Sequence, residues 1–214
     1  MTRVEWLTVG GSVEPWRDLG LIVDDGGLVP LFGPGIRIAG GDESGILGWA
    51  LSDVTAGSQE MEIDGLATEV VTEIDGLATE LVTPAAPRFA DHRLGAIGLD
   101  HVVIVTNDLD RTSDAITTVT GAPRRRVREV GTMRQGFHRL GPLIVELVEP
   151  ADLPVGPAEF WGLVLNVEDL DVAVERLGPE LISAAKPAVQ PGRSIATVRA
   201  EAGLGVSVAL MTPG

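Results

Sequence analysis

One supersecondary pattern occurs three times in this chain, and it constrains the fold more than any single residue does. Each copy reads as an apolar strand, a polar cap, a short amphipathic helix and a closing glycine. The first runs from Val4 through Ser12 to Gly20, with Val13, Trp16 and Leu19 at helical spacing. The second runs from Leu99 through Asn107 or Asp108 to Gly121, with Leu109, Ile116 and Val119 on one face. The third runs from Phe160 through Glu168 and Asp169 to Gly178, with Leu170, Val174 and Leu177 on one face. Ser, Asn and Asp start helices by accepting a backbone N–H, and glycine ends them in the left-handed conformation. After each glycine come short alternating runs broken by Gly and Pro, the pattern of a β-meander. Each unit is therefore βαβββ.

A single unit of this kind leaves one sheet face uncovered, so two units pair to make a domain. The second and third adjoin, and a paired domain is expected over residues 97–214. Residues 1–58 are expected to form a single βαβββ-like unit that stands apart. The fold class is α+β, with tandem βαβββ units forming a cupped mixed sheet and helices on its convex face. Between the units, over 59–96, lies a duplicated hairpin segment and a Pro-rich linker. Glu62–Glu69 (EIDGLATE) recurs verbatim as Glu73–Glu80. The Asp-Gly pairs at 64–65 and 75–76 suggest turns. An eleven-residue period does not preserve strand parity, so both copies cannot present the same face to one sheet. Pro84-Ala85-Ala86-Pro87 then reads as a stiff linker, and His92 beyond it as a surface residue. An odd number of units favours a homodimer, in which six units pair completely. The alternative is that the 62–80 segment folds back over the first unit.

Composition narrows the function. The chain of 214 residues is 44% hydrophobic, enough for a sizeable core, and carries a formal charge of −15. That charge argues against nucleic-acid or membrane-surface partners, since both are polyanions. Cysteine is absent, which excludes disulfides, thiolate metal sites and cysteine nucleophiles, and tyrosine is absent too. No apolar run is long enough to span a membrane and the N-terminus lacks a signal-peptide pattern, so a cytoplasmic protein is expected.

Leu-Asp-His-Val-Val-Ile at 99–104 and Val-Glu-Leu-Val-Glu-Pro at 145–150, set in tandem βαβββ units, resemble the vicinal oxygen chelate superfamily. That group includes glyoxalase I, extradiol dioxygenases, methylmalonyl-CoA epimerase and the bleomycin and fosfomycin resistance proteins. The resemblance covers roughly residues 97–214 and extends weakly to 1–55. It implies a cup around a divalent metal, with a ligand from the first and fourth strand of each unit. Carried over, the first unit supplies His101 and Glu146. Aligning Asp108-Leu109-Asp110 on Asp169-Leu170-Asp171 puts Gly162 at the histidine position, and aligning Pro150 on Pro213 puts Ala209 at the carboxylate position. The implied metal (Zn, Ni, Co, Mn or Fe) would have a half-site only and bind weakly. Glu146 is also the candidate catalytic residue, because this carboxylate often doubles as ligand and base.

Strand parity tests which side chains enter the cup, since the convex face must be apolar. Val102, Ile104, Leu143, Val145 and Leu147 are expected on the helix side, leaving His101 and Glu146 concave. On the intervening strand Met133 and Phe137 are expected on the helix side, leaving Arg134, Gly136 and His138 concave. Small or soft groups at Gly162, Ser207, Ala209 and Met211 would line the other half. Arg134, His138, Trp161 and Arg193 are the candidate ligand-binding residues. His101 and Glu146 admit a second reading as a hydrogen-bonded pair, and Glu146 with Arg134 as a buried ion pair. Six arginines lie between Arg124 and Arg139. Arg124, Arg126 and Arg128 would form an anion clamp or, more simply, a charged edge strand. The functions in competition are a cup that binds a small anionic or aromatic molecule, a metal-dependent lyase, isomerase or dioxygenase, and a structural or regulatory partner.

Overall fold

The computed structural model describes residues 1–54, 71–84 and 89–214. Its strands are β1 (Arg3–Val9), β2 (Leu28–Val29), β3 (Gly35–Ile38), β4 (Ile46–Ser52), β5 (Val71–Ile74), β6 (Leu77–Leu81), β7 (Ala96–Val105), β8 (Arg126–Val130), β9 (Met133–Leu140), β10 (Leu143–Glu149), β11 (Glu159–Val167), β12 (Lys186–Pro187), β13 (Ser194–Thr197) and β14 (Ser207–Met211). The helices are α1 (Glu14–Asp18), α2 (Leu109–Thr120) and α3 (Leu170–Leu177).

The two longer helices begin and end where capping chemistry dictates. Asp108 accepts from the Arg111 N–H and Asp169 from the Val172 N–H, while Gly121 and Gly178 terminate them with φ near +70°. The first helix departs from this scheme. Val13 rather than Ser12 occupies the cap, without a side-chain hydrogen bond, and the helix has five residues.

The strands of 96–211 form one eight-stranded sheet in the order β12-β13-β14-β11-β7-β10-β9-β8. In each half the first strand lies parallel to the fourth, β7 on β10 and β11 on β14, and the two first strands join antiparallel. This is a pair of βαβββ units, and the class is α+β. Val102, Ile104, Leu143, Val145 and Leu147 are fully buried on the convex side, as the alternation requires.

Residues 1–54 run strand, helix and three strands in chain order, but their strands are arranged differently in the sheet from those of the other two units. β4 runs antiparallel to β1 on the side opposite β3, and β3 takes the parallel place beside β1. The reason is local. Only the five-residue α1 and one short strand precede β3, so β3 is the first strand free to return alongside β1. β4 enters through a turn whose glycines, Gly40, Gly41 and Gly45, all have positive φ, and takes the other edge of β1. The hairpin β5–β6 then extends the sheet, giving the order β2-β3-β1-β4-β6-β5. The copy at 62–69 and the linker residues 85–88 lie outside the described residues.

The two sheets share one apolar core, running from Leu7, Trp16 and Trp49 to Ile104, Leu147 and Leu165. Trp49 meets Phe160 edge-on at 5.4 Å between ring centres, and the tip of β5–β6 docks on α2. His92 is not a surface residue. It is 4% exposed, with Nδ1 accepting from the Ile22 N–H at 2.9 Å and Nε2 donating to the Pro30 carbonyl at 2.8 Å. It ties the approach to β7 to the N-terminal sheet. Among the described residues no helix is long and apolar enough to cross a membrane.

Candidate functional site

The concave face of the eight-stranded sheet carries one connected polar cluster, and a β-bulge creates it. His101 pairs with Val164, but the next pair is Leu99 with Leu165, so Asp100 has no partner on β11. The extra residue turns Asp100 and His101 towards each other, and both are buried. Asp100 Oδ2 lies 2.8 Å from His101 Nδ1. Asp100 Oδ1 accepts from Arg193 Nη2 at 2.7 Å, and Arg193 also donates to Asn166 Oδ1 at 2.6 Å and to the Thr212 carbonyl at 2.7 Å. On its other side, His101 Nε2 stands 3.6 Å from Glu146 Oε2. Gln135 Nε2 donates to Glu146 Oε1 at 2.9 Å, and Arg128 Nε donates to Gln135 Oε1 at 2.5 Å while its guanidinium lies over Phe137.

Electrostatics gives the two carboxyls opposite characters. Burial pushes Asp100 up, but hydrogen bonds from His101 and Arg193, and their charges, outweigh it and hold the carboxyl at about 2. Burial pushes Glu146 up as well, and the opposing charges of His101 and Arg128 do not reverse it. An ionised Asp100 keeps the His101 proton on Nδ1 and leaves Nε2 directed at Glu146. A carboxyl pushed up by burial, beside an imidazole nitrogen of fixed tautomer, can accept from or donate to a bound molecule.

The register also locates the two positions that a four-ligand metal centre would need. His101 pairs with Ile144 on the parallel strand, and Glu146 lies two residues further. In the second unit Gly162 pairs with Ser207, and Ala209 lies two residues further. The strand register and the sequence alignment therefore agree on Gly162 and Ala209, and neither can bind a metal. A Cβ at residue 162 would stand 2.7 Å from the Ser207 carbonyl oxygen, so no side chain enters there unless β14 shifts. One imidazole nitrogen and one carboxylate, half of it already hydrogen-bonded to Gln135, do not make a divalent centre. Among the described residues no group of three or more His, Asp or Glu side chains is placed to hold an ion. The donor set does not fit the metal that the resemblance implies.

Of the residues expected to line the cup, His101, Glu146 and Arg193 do so. Arg134 and His138 do not. In β9, Leu140, His138 and Gly136 pair with Leu143, Val145 and Leu147, and cross-strand partners share a face. That face is the convex one. His138 is buried against α2, with Nε2 3.0 Å from Ser113 Oγ and Nδ1 3.0 Å from the Ala122 carbonyl, and Gly136 lies directly beneath Leu109. Arg134 bridges Asp110 of α2 and Glu149. The size of Phe137 and Met133 misleads here. Phe137 pairs with Glu146 in the cup, and the convex side of β9 is filled by the side chain of Leu109 instead. The buried ion pair of Glu146 with Arg134 is accordingly absent, and Gln135 holds Glu146. Trp161 is 60% exposed at a second bulge of β11. The arginine run divides: Arg124 pairs with Asp110, Arg128 with Gln135, and β8 is an edge strand. No three-arginine clamp assembles. Asp100 and Gln135 were not singled out by parity. The adjacent Asp-His pair was the available signal for the first, and Gln135 had none.

A cavity of about 150 Å³ lies on the other sheet, lined by Thr8, Gly48, Trp49 and Thr79 among others. It is well below the roughly 300 Å³ at which ligand pockets begin.

No protein-family model matches the chain, and no curated protein matches it. Similar solved structures include methylmalonyl-CoA epimerase from Mycobacterium tuberculosis, at 20% identity and a TM-score of 0.47, covering 56% of this chain and 90% of that one. A hypothetical protein from Bacillus halodurans is 13% identical with a TM-score of 0.46, covering 54% and 94%. A variant of Streptomyces coelicolor methylmalonyl-CoA epimerase in complex with 2-nitronate-propionyl-CoA is 16% identical with a TM-score of 0.46, covering 56% and 96%. The fold assignment rests on the strand order of the chain itself.

Proposed function

We propose that this chain binds a small aromatic molecule carrying a hydroxyl or amine in the cup of its eight-stranded sheet, without a four-ligand metal centre. The observation that carries the reading is the asymmetry of the concave face. One half presents Glu146 and the His101 imidazole, and the other presents Gly162, Val164 and Ala209 in register with them. Phe137, paired with Glu146, adds an aromatic wall. A ring fits the apolar half, and its donor meets the carboxyl and Nε2. An anionic ligand keeps less support: Arg126 and Arg139 share the cup face with Phe137 and Ile144 but are exposed, and the other candidate cations are turned away or engaged. Arg134 and His138 lie on the opposite face, Arg193 is engaged by Asp100, and Arg128 by Gln135.

A metal-dependent lyase, isomerase or dioxygenase would need ligands at Gly162 and Ala209 that the chain does not supply. A homodimer, expected from an unpaired unit, loses its premise because both sheets share a core within one chain. Light scattering at micromolar concentration should return the mass of one chain, and twice that mass would restore the dimer.

The test of ligand class is a thermal-shift panel. Phenols and anilines should raise the melting temperature of the wild type and leave Glu146→Ala unmoved. A panel in which only carboxylates or phosphates stabilise, or in which Glu146→Ala responds fully, would overturn the reading. Metal analysis of dialysed, untagged protein is the companion measurement. Stoichiometric metal that is lost in His101→Ala would restore the metal centre.

A further inference from the structure

The tip of the β5–β6 hairpin is a plug in a shaped socket at the start of α2. Asp75 and Gly76 form its two-residue turn, both with positive φ. Asp75 Oδ1 accepts from Arg111 Nε at 2.8 Å, Oδ2 accepts from Thr112 Oγ1 at 2.5 Å, and its carbonyl accepts the Ala158 N–H at 2.8 Å. Arg111 also donates to the Gly156 carbonyl at 2.9 Å, which joins the two walls of the socket. Gly76 presses on Pro157: a Cβ there would stand 2.3 Å from the proline Cβ, so only glycine fits. Ile74 and Leu77 flank the turn and are buried, and Thr79 Oγ1 accepts from Trp49 Nε1 at 2.7 Å. The socket thus selects Ile-Asp-Gly-Leu, one further residue, then Thr.

The chain contains that sequence twice. Residues 62–72 and 73–83 are identical except that Val70 stands where Leu81 follows. Every side chain the socket contacts has a counterpart eleven residues earlier, at Ile63, Asp64, Gly65, Leu66 and Thr68. We propose that this socket has two interchangeable occupants, and that the segment 62–72 takes it when 73–83 leaves, an eleven-residue slip of the whole hairpin. The odd period is no obstacle, because the turn moves with its strands and each residue lands on the place of its double.

The reach allows the exchange. β4 ends at Ser52, and the slip shortens the connection to the hairpin from residues 53–70 to 53–59. β6 lies between β4 and β5, so the gap to span is two strand spacings, about 10 Å. Seven extended residues reach about 23 Å. The eleven residues released pass into the connection before β7, where the entropic penalty grows only with the logarithm of length. What changes is small: Val70 replaces Leu81, and Glu60-Met61 replace Val71-Thr72.

A double-mutant cycle on the full chain tests this by urea denaturation. Asp64→Ala should leave the midpoint unchanged, Asp75→Ala should lower it slightly, and the double variant should lower it by at least three times the sum of the two. Equal losses in Asp75→Ala and the double variant would refute the exchange. A second measurement uses the absence of cysteine. Gly76→Val blocks the present occupant against Pro157, so a Thr68→Cys probe should alkylate at least tenfold more slowly in that background than beside Gly76. An unchanged alkylation rate, or a Gly76→Val chain that does not fold, would show that residues 62–72 cannot replace the plug.

Discussion

Replacing Asp100 by asparagine removes the one fixed negative charge from the middle of the cup network. In the fold this carboxyl titrates at about 2, against 3.8 for an ordinary aspartate. At about 1.4 kcal/mol per pH unit, that difference amounts to about 2 kcal/mol of stability from its ionised form. A depressed carboxyl stabilises the fold fully above its unfolded value and loses that contribution as the pH falls through the folded one. The contribution should therefore be complete above about pH 5 and gone near pH 2. Asp100→Asn should cost about 2–4 kcal/mol at pH 7, because Arg193 and the Nδ1–H of His101 would also lose their charged acceptor. The assay is urea denaturation of both proteins at steps from pH 7 to pH 2. The difference between them should be flat to pH 5 and then shrink. A difference that is constant with pH, or below about 0.5 kcal/mol throughout, would refute the assignment of Asp100 as the charged anchor of His101.

Burial pushes the neighbouring carboxyl the other way, so Glu146 opposes folding once ionised. Glu146→Gln should raise the melting temperature at pH 7, with the gain vanishing below about pH 4, while thermal shift shows a loss of ligand response. His138 is held neutral by burial, so the fold resists its protonation, and stability should decline as the pH drops below 6.5. His138→Gln should flatten that decline in melting temperature measured from pH 7 to 5. At residue 162 an added Cβ meets the Ser207 carbonyl, and Gly162→Ala should cost about 1–3 kcal/mol by denaturant unfolding. Gly156→Ala, where a Cβ meets nothing within 4 Å, should be silent.

Much of this molecule is decided by local chemistry, and that part was legible. Asp108 and Asp169 cap helices because a short side chain can reach the free N–H groups of the first turn. Gly121 and Gly178 end them because only glycine accepts left-handed φ without strain. The alternation of Val102 and Ile104 with His101, and of Val145 and Leu147 with Glu146, assigns both faces of β7 and β10. His101 and Glu146 could therefore be brought together from residue types and period alone. The remainder depends on which strand lies beside which, information that no single segment carries. Asp100 enters the cup only because β7 holds one residue more than β11 at that point. Phe137 and His138 exchange faces because β9 takes its register from β10, and a glycine leaves room for Leu109. β4 goes to the far edge of β1 because the short α1 lets β3 return first. His92 is buried because Ile22 and Pro30, distant in sequence, converge on its ring. Period and propensity act over a few residues, whereas register, bulges and sheet edges are settled by contacts between segments far apart in the chain.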